Sequence, residues 1–225
     1  MNQGGNPMYL VMMGVQGAGK GTQAAMLQER FGIPHITSGG LFRSMKDQQT
    51  PLARQVQAIM ARGELVPDAI TIQIVRERIT QEDARRGFIL DGFPRTRPQA
   101  EALDALMAEL SHRLTAVIYL HIDDEEAVAR ISGRLQCRLD EQHIYHRRYN
   151  PPRQDGICDI DGGELFTRED DQPEAVRKRI AEFHAKTSPL LDYYRERGLL
   201  LEVNAERPIE AVGEAVVEAL AQLNT

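Results

Sequence analysis

The sequence predicts an α/β fold, a parallel sheet covered by helices on both faces with two insertions hung on it. Three observations carry that expectation. Short continuous apolar runs are sized for strands buried on both faces. A glycine-rich turn ending in lysine follows the first of them directly, and helix-period segments lie between the runs. The chain has 225 residues, long for one compact domain and short for two full ones, so a single core with small insertions fits.

Met8-Tyr-Leu-Val-Met-Met13 is the first run, ended by glycines. A helix is expected from Lys20, with Ala24, Leu27 and Phe31 on one face and Gly32 as its C-terminal cap. Phe88–Asp91 and Thr115–Ile122 are two further buried strands, and Leu199–Val203 another. Pro208 then opens a helix whose inner face carries Ile209, Val212, Val216, Leu220 and Leu223. Two stretches break the alternation. Residues 38–66 read as two short helices around Pro51, ending at Gly63, and residues 134–171 are rich in turn formers and arginines. There is no internal repeat and no low-complexity segment.

Composition narrows the function classes. With 42% hydrophobic and 27% charged residues the chain can bury a core and stay soluble. Its net charge of −6 offers no bulk positive field for a nucleic-acid partner. No uncharged apolar run approaches the roughly 18 residues of a membrane span. Met1–Pro7 lacks the basic and apolar regions of a signal peptide, so a cytoplasmic location is expected. There the two cysteines, Cys137 and Cys158, read as free thiols or metal ligands rather than a disulfide.

Gly14-Val-Gln-Gly17-Ala18-Gly19-Lys20-Gly21-Thr22 sits between a strand and a helix, the setting that gives G-x-x-x-x-G-K its chemistry. Glycines let successive N–H groups face phosphate oxygens, and the helix N-terminus adds partial positive charge. Lys20 supplies a point charge able to follow a moving phosphoryl. Gly21 fills the usual Ser/Thr slot and the hydroxyl falls one later, at Thr22. A bound nucleoside triphosphate is expected. Asp91, ending an apolar strand, reads as the carboxylate that holds Mg²⁺ through water.

Gly14–Thr22, Asp91-Gly92-Phe-Pro-Arg95-Thr with Gln99, and Thr167-Arg168-Glu-Asp170-Asp171 together resemble the adenylate kinase family, in order and spacing, from Tyr9 onward. The resemblance implies a P-loop nucleoside monophosphate kinase with a five-stranded parallel sheet and the long lid of bacterial members. Residues 1–37, 67–133 and 172–225 would be the core, 38–66 the AMP-binding insertion and 134–171 the lid. It further implies reversible, Mg²⁺-dependent transfer between ATP and AMP to give ADP, by a monomer. Ser38, Arg43, Gly92 and Arg95 look like AMP-site residues, with Gln99 reading the adenine edge and Glu64 to Val66 lining the base pocket. Arg134, Arg168 and Arg179 look like catalytic arginines, the latter two reaching AMP as well, and Asp170 and Asp171 would orient them. Arg130 sits on the ATP side, and Ile144 and Tyr145 match the lid segment over the ATP base. Planar, permanently charged guanidinium groups suit a transition state whose charge spreads over phosphoryl oxygens. Arg85, Arg86, Arg195 and Arg197 read instead as solvated surface charges.

Gly40 stands where most family members carry an aspartate. It leaves open a UMP, CMP or GTP preference, or a different start to the first insertion helix. A silent nucleotide sensor is the rival of another class, disfavoured because every motif arginine is present. In the lid, Cys158-Asp-Ile-Asp161 matches half of the family's metal-binding form. The other half would be Cys137 with His143, or Asp140 in its place. Two thiolates, an imidazole and a carboxylate make a structural Zn²⁺ site, which Co²⁺ or Fe²⁺ could also occupy. His112, His121, His146 and His184 lack partner spacing and read as surface or packing residues.

Overall fold

A computed structural model describes residues 7–62, 66–140, 143–168 and 171–223. The expected turn at Gly63 and the expected roles of Glu64 and Asp170 lie outside the described residues.

The first strand, β1 (Met8–Met13), leads through the glycine loop into α1 (Lys20–Phe31), and Gly32 closes α1 by donating its N–H to the Gln28 carbonyl. There follow β2 (His35–Thr37), α2 (Ser38–Ser44), α3 (Pro51–Ala61) and α4 (Asp68–Ile79). Next come β3 (Gly87–Asp91), α5 (Arg97–Glu109), β4 (Ala116–His121) and α6 (Asp124–Ser132). Three short strands, β5 (Arg134–Cys137), β6 (Ile144–His146) and β7 (Leu165–Phe166), precede α7 (Pro173–Glu182) and α8 (Pro189–Arg195). The chain closes with β8 (Leu200–Asn204) and α9 (Ile209–Gln222).

Five strands form one parallel sheet in the order β2-β3-β1-β4-β8. Alternation along β1 divides the core. Leu10 and Met12 join Ala24 and Leu27 of α1 and Val212 and Val216 of α9 on one face. Tyr9, Val11 and Met13 join Leu103, Leu106 and Met107 of α5 and Leu190 of α8 on the other. Adjacent strands β1 and β3 therefore hand the chain to helices on opposite faces, which opens a crevice beyond their C-terminal ends. Met12 pairs with Asp91 at that edge, so the glycine loop and Asp91 emerge side by side.

The two insertions leave the sheet. α2 and α3 enclose a separate apolar cluster of Met45, Leu52, Ala53 and Val56 with Ile74 of α4. Residues 134–171 contain an antiparallel sheet in the order β6-β5-β7, packed on Leu135, Tyr145, Leu165 and the two cysteines. Thr37 caps α2 by accepting the Gly40 N–H at 3.0 Å, and a Cβ at Gly40 would lie 2.6 Å from the Thr37 Oγ1. Glycine there lets the cap close tightly.

Several expectations are corrected. β8 is an edge strand with only Val203 fully buried, because no strand lies beyond it. Ile209 and Leu223, placed on the inner face of α9, are 54% and 41% exposed because they sit at its two ends, and Pro208 stands just before the helix. Phe31 is only half-buried at the last turn of α1. β2 was unexpected, being three residues long. Leu10 is fully buried at the centre of the sheet. Leu10→Ala should destabilise the fold by about 2–5 kcal/mol, read as a lower midpoint in urea unfolding.

Candidate active site

The loop between β1 and α1 is shaped for close approach of its backbone to an anion. Gly14 and Gly17 have φ of 139° and 95°, and a Cβ on either would lie 2.6 Å from a backbone carbonyl, that of Leu120 or Ala127. Gly19 and Gly21 flank Lys20, and Ala18 is buried beneath the loop. No side chain caps the start of α1, and its first turn holds no acidic residue. Its leading N–H groups thus remain available to a ligand. Lys20 Nζ donates to the carbonyls of Gly14 and Val15 at 2.9 and 3.0 Å. Enclosure by protein lowers the Lys20 pKa, and Asp91 opposes that effect. Thr22 lies in the same first turn of α1, exposed.

Asp91, at the end of β3, faces the imidazole of His35, with Nε2 and Oδ2 3.5 Å apart and both side chains largely buried. Burial would raise the carboxyl pKa, but His35, Lys20 and Arg95 together hold it below its ordinary value. Nothing in the sequence marks His35. Its strand, β2, is too short for periodicity to mark, so no local pattern pointed to it.

Beyond Asp91 the chain turns to Arg95, whose Nε donates to the Gly92 carbonyl at 2.8 Å and whose guanidinium reaches Ser38 Oγ at 3.3 Å. The Arg95 N–H donates to Gln99 Oε1 at 2.8 Å, and the Thr187 hydroxyl donates to the Arg95 carbonyl at 3.1 Å. Ser38, Gly92, Arg95 and Gln99 are thereby one connected group. Arg43 lies on α2 above Gly39, and Val66 packs against the insertion's apolar cluster. Asp68 was also missed. It accepts from Gln99 Nε2 and from the Thr96 hydroxyl, each at 2.6 Å. A lone acid at a helix start carries no sequence signal beyond capping.

On the other side of the crevice, Arg134 makes a two-point contact with Asp171, at 2.9 and 2.6 Å, and Asp171 is 1% exposed. Arg179 donates to Gln16 of the glycine loop at 2.9 Å, which ties α7 to the cradle. Arg130 Nε donates to Glu126 at 2.8 Å and its terminal nitrogen to the Ala205 carbonyl at 2.9 Å. Tyr149 also donates to Glu126, at 3.1 Å. Arg168 sits on the loop between β7 and α7. Ile144 is half-exposed, whereas Tyr145 turns inward, its hydroxyl accepting from the Asp159 N–H and lying 3.6 Å from Cys158 Sγ. The Tyr145 ring thus belongs to the small core of this insertion.

That core abuts Cys137, His143, Cys158 and Asp161, whose ligand atoms all lie within 4.8 Å of one another. Cys137 Sγ is 3.2 Å from Asp161, His143 Nδ1 is 2.8 Å from the same carboxylate, and Cys158 Sγ is 3.6 Å from His143. Asp140 lies behind the ring, 3.5 Å from Nε2, so His143 rather than Asp140 completes the quartet. Two sulfurs, one imidazole nitrogen and one carboxylate converging on a single point are a donor set that fits Zn²⁺. Asp140 stands where an outer partner of a ligating histidine belongs. Among the remaining histidines, His112 stacks on Tyr9, and His184 lies 3.0 Å from Asp124. His146 covers Gly133 at the entry to β5.

The sequence model of one family, adenylate kinase, matches residues 12–199. The chain belongs to the adenylate kinase family. It is 47% identical to "Adenylate kinase" of Streptomyces avermitilis over 213 residues, 95% of this chain and 97% of that protein. It is 44% identical to "Adenylate kinase" of Staphylococcus epidermidis over 216 residues, 96% of this chain and 100% of that protein. The family match begins within β1 and so takes in the glycine loop, the Asp91–Gln99 segment and the arginines of the second insertion. Among the described residues no helix is long and apolar enough to cross a membrane.

Because the Asp91 pKa is lowered in the folded state, its contribution to stability is present at neutral pH and lost as pH falls through that lowered value. Between about pH 5 and pH 2, Asp91→Asn should lose stability less steeply than the native chain, measured by unfolding at stepped pH.

Proposed function

We propose that the chain is an adenylate kinase, moving the terminal phosphoryl group of ATP to AMP, reversibly, to give two ADP. The observation that supports this most strongly is the adjacency of two anion-binding groups at the ends of β1 and β3. The loop with Lys20 lies on one strand and the Ser38–Gly92–Arg95–Gln99 group follows the other, with Asp91 between them.

In this reading residues 1–37, 67–133 and 172–225 are the core, 38–66 the AMP insertion and 134–171 the lid. The loop amides of Gly17 to Thr22 and Lys20 hold the ATP phosphates, Arg130 lies on the ATP side, and the Ile144–Tyr145 segment covers the ATP base. Arg43 and Arg95 hold the AMP phosphate, and Gln99 reads its base. Val66, with Glu64, lines the pocket. An AMP phosphate oxygen attacks the terminal phosphorus of ATP in line, the bond to the β-phosphate oxygen breaks, and ADP leaves on each side. The acceptor is already an anion, so no general base is required. Arg134, Arg168 and Arg179 meet the charge spread over the transferring group. Asp171, with Asp170, keeps the lid arginines aimed until closure excludes water. Asp91 would hold Mg²⁺ through water, and the ion would supply charge neutralisation at the phosphates. Cys137, His143, Cys158 and Asp161 would hold a structural Zn²⁺, or Co²⁺ or Fe²⁺, which would staple a lid of few apolar residues. The reading places the enzyme in the cytoplasm as a monomer.

The test is ADP formation from ATP and each nucleoside monophosphate at equal concentration. AMP should be the preferred acceptor, and preference for UMP or CMP would refute the assignment. Arg95→Ala should lower transfer by about 100- to 1,000-fold while ATP affinity stays within about three-fold. Metal analysis should find about one Zn²⁺ per chain, and its chelation should lower the thermal midpoint of the native chain but not of Cys158→Ser.

A further inference from the structure

The side-chain amide of Gln99 is gripped at both ends by partners of opposite kind. Its Oε1 accepts from the Arg95 backbone N–H at 2.8 Å, and its Nε2 donates to Asp68 Oδ1 at 2.6 Å. A backbone N–H can only donate and a carboxylate can only accept. Turning the amide over would set NH₂ against N–H and oxygen against carboxylate, losing both bonds and adding two repulsions. Asp68 is itself held, since its Oδ2 accepts from the Thr96 hydroxyl at 2.6 Å. Gln99 is 5% exposed, so water cannot readily replace either partner.

An amide has two hydrogens and two lone pairs, so one of each remains once these two bonds are made. They are one donor on Nε2 and one acceptor on Oε1, in an order fixed by Asp68 together with the Arg95 N–H. We propose that Asp68 is a specificity-determining residue that acts through Gln99, setting the site to accept 6-aminopurine monophosphates and reject 6-oxopurine ones. A 6-aminopurine presents an acceptor at N1 and a donor at its amino group, the complement of the fixed amide. A 6-oxopurine presents a donor at N1 and an acceptor at O6, the reverse order. Without Asp68 only the Arg95 N–H would hold the amide, and turning it over to meet a 6-oxopurine would lose one bond rather than two. The inference rests on the reading of Gln99 as the contact to the acceptor base.

The chain as it stands supplies one test. Three acceptors are compared by kcat/KM with ATP as donor: AMP, IMP, and purine riboside monophosphate, which keeps the N1 acceptor but lacks any 6-substituent. A fixed amide gives AMP first, the unsubstituted purine second and IMP last, since IMP meets two mismatched groups and the unsubstituted purine loses only one bond. An amide free to turn puts IMP ahead of the unsubstituted purine, which would overturn the proposal.

Asp68→Asn supplies the second test. Its amide can accept from or donate to Gln99, so the carboxylate's share of the constraint is removed at nearly constant size and only the Arg95 N–H remains. The AMP-to-IMP ratio of kcat/KM should fall by at least about ten-fold. An equal loss for both acceptors would mean that Asp68 merely supports the fold, and an unchanged ratio would mean that it has no role in selection. If the native chain prefers a pyrimidine acceptor, the reading of Gln99 itself fails. If AMP is preferred but Asp68→Asn keeps the ratio, only the role of Asp68 fails.

Discussion

Everything in the crevice depends on one electrostatic constraint, the Lys20 ammonium held over the glycine loop with Asp91 as its counter-charge. Enclosure disfavours the charged lysine, and Asp91 offsets part of that cost. The uncapped start of α1, Arg95 and Arg179 add positive charge at the same place. A chain of net charge −6 thus concentrates positive field in one cleft while its bulk repels polyanions. That concentration of positive charge is what a phosphate-binding site requires.

The sheet supplies the rigidity that this arrangement needs. β1 and β3 are hydrogen-bonded neighbours buried on both faces, so the loop and Asp91 cannot drift apart without unpairing the core. The parts that must meet a ligand are carried instead on the two insertions, each with its own small apolar cluster. Their polar anchors run back to the core. Tyr149 and Arg130 converge on Glu126, and Arg134 is held by Asp171 beside the start of α7. A short antiparallel sheet with five buried core residues has little hydrophobic stability of its own, and two of those five are the cysteines. Side chains able to share a metal are an economical way to fix such a unit.

The parts of this molecule that were legible in the sequence are those where one local rule decides the outcome. The bounds of β1 and the start and cap of α1 follow from an apolar run, a glycine loop and Gly32, and the structure places them at the same residues. Cys137, Cys158 and Asp161, with His143 or Asp140 as the fourth, followed from the resemblance to the family's metal-binding lid, and the choice of His143 needed the geometry. What stayed hidden depends on tertiary partners. β2 exists because Ile36 and Thr37 pair with Leu90 and Asp91, and the strands of the second insertion exist because they pair with one another. His35 and Asp68 gain their importance only from Asp91 and Gln99, residues far away in the chain.

The most direct measurement is thermal unfolding of the native chain and of Lys20→Met, each with and without a non-hydrolysable ATP analogue and Mg²⁺. At a hundred times its dissociation constant the analogue should raise the native midpoint by about 5–10 °C. If the Lys20 cradle is the phosphate site, Lys20→Met should fold and show a rise of less than about 1 °C at that concentration. Equal shifts in the two proteins would contradict it, because the nucleotide would then be held somewhere that Lys20 does not reach.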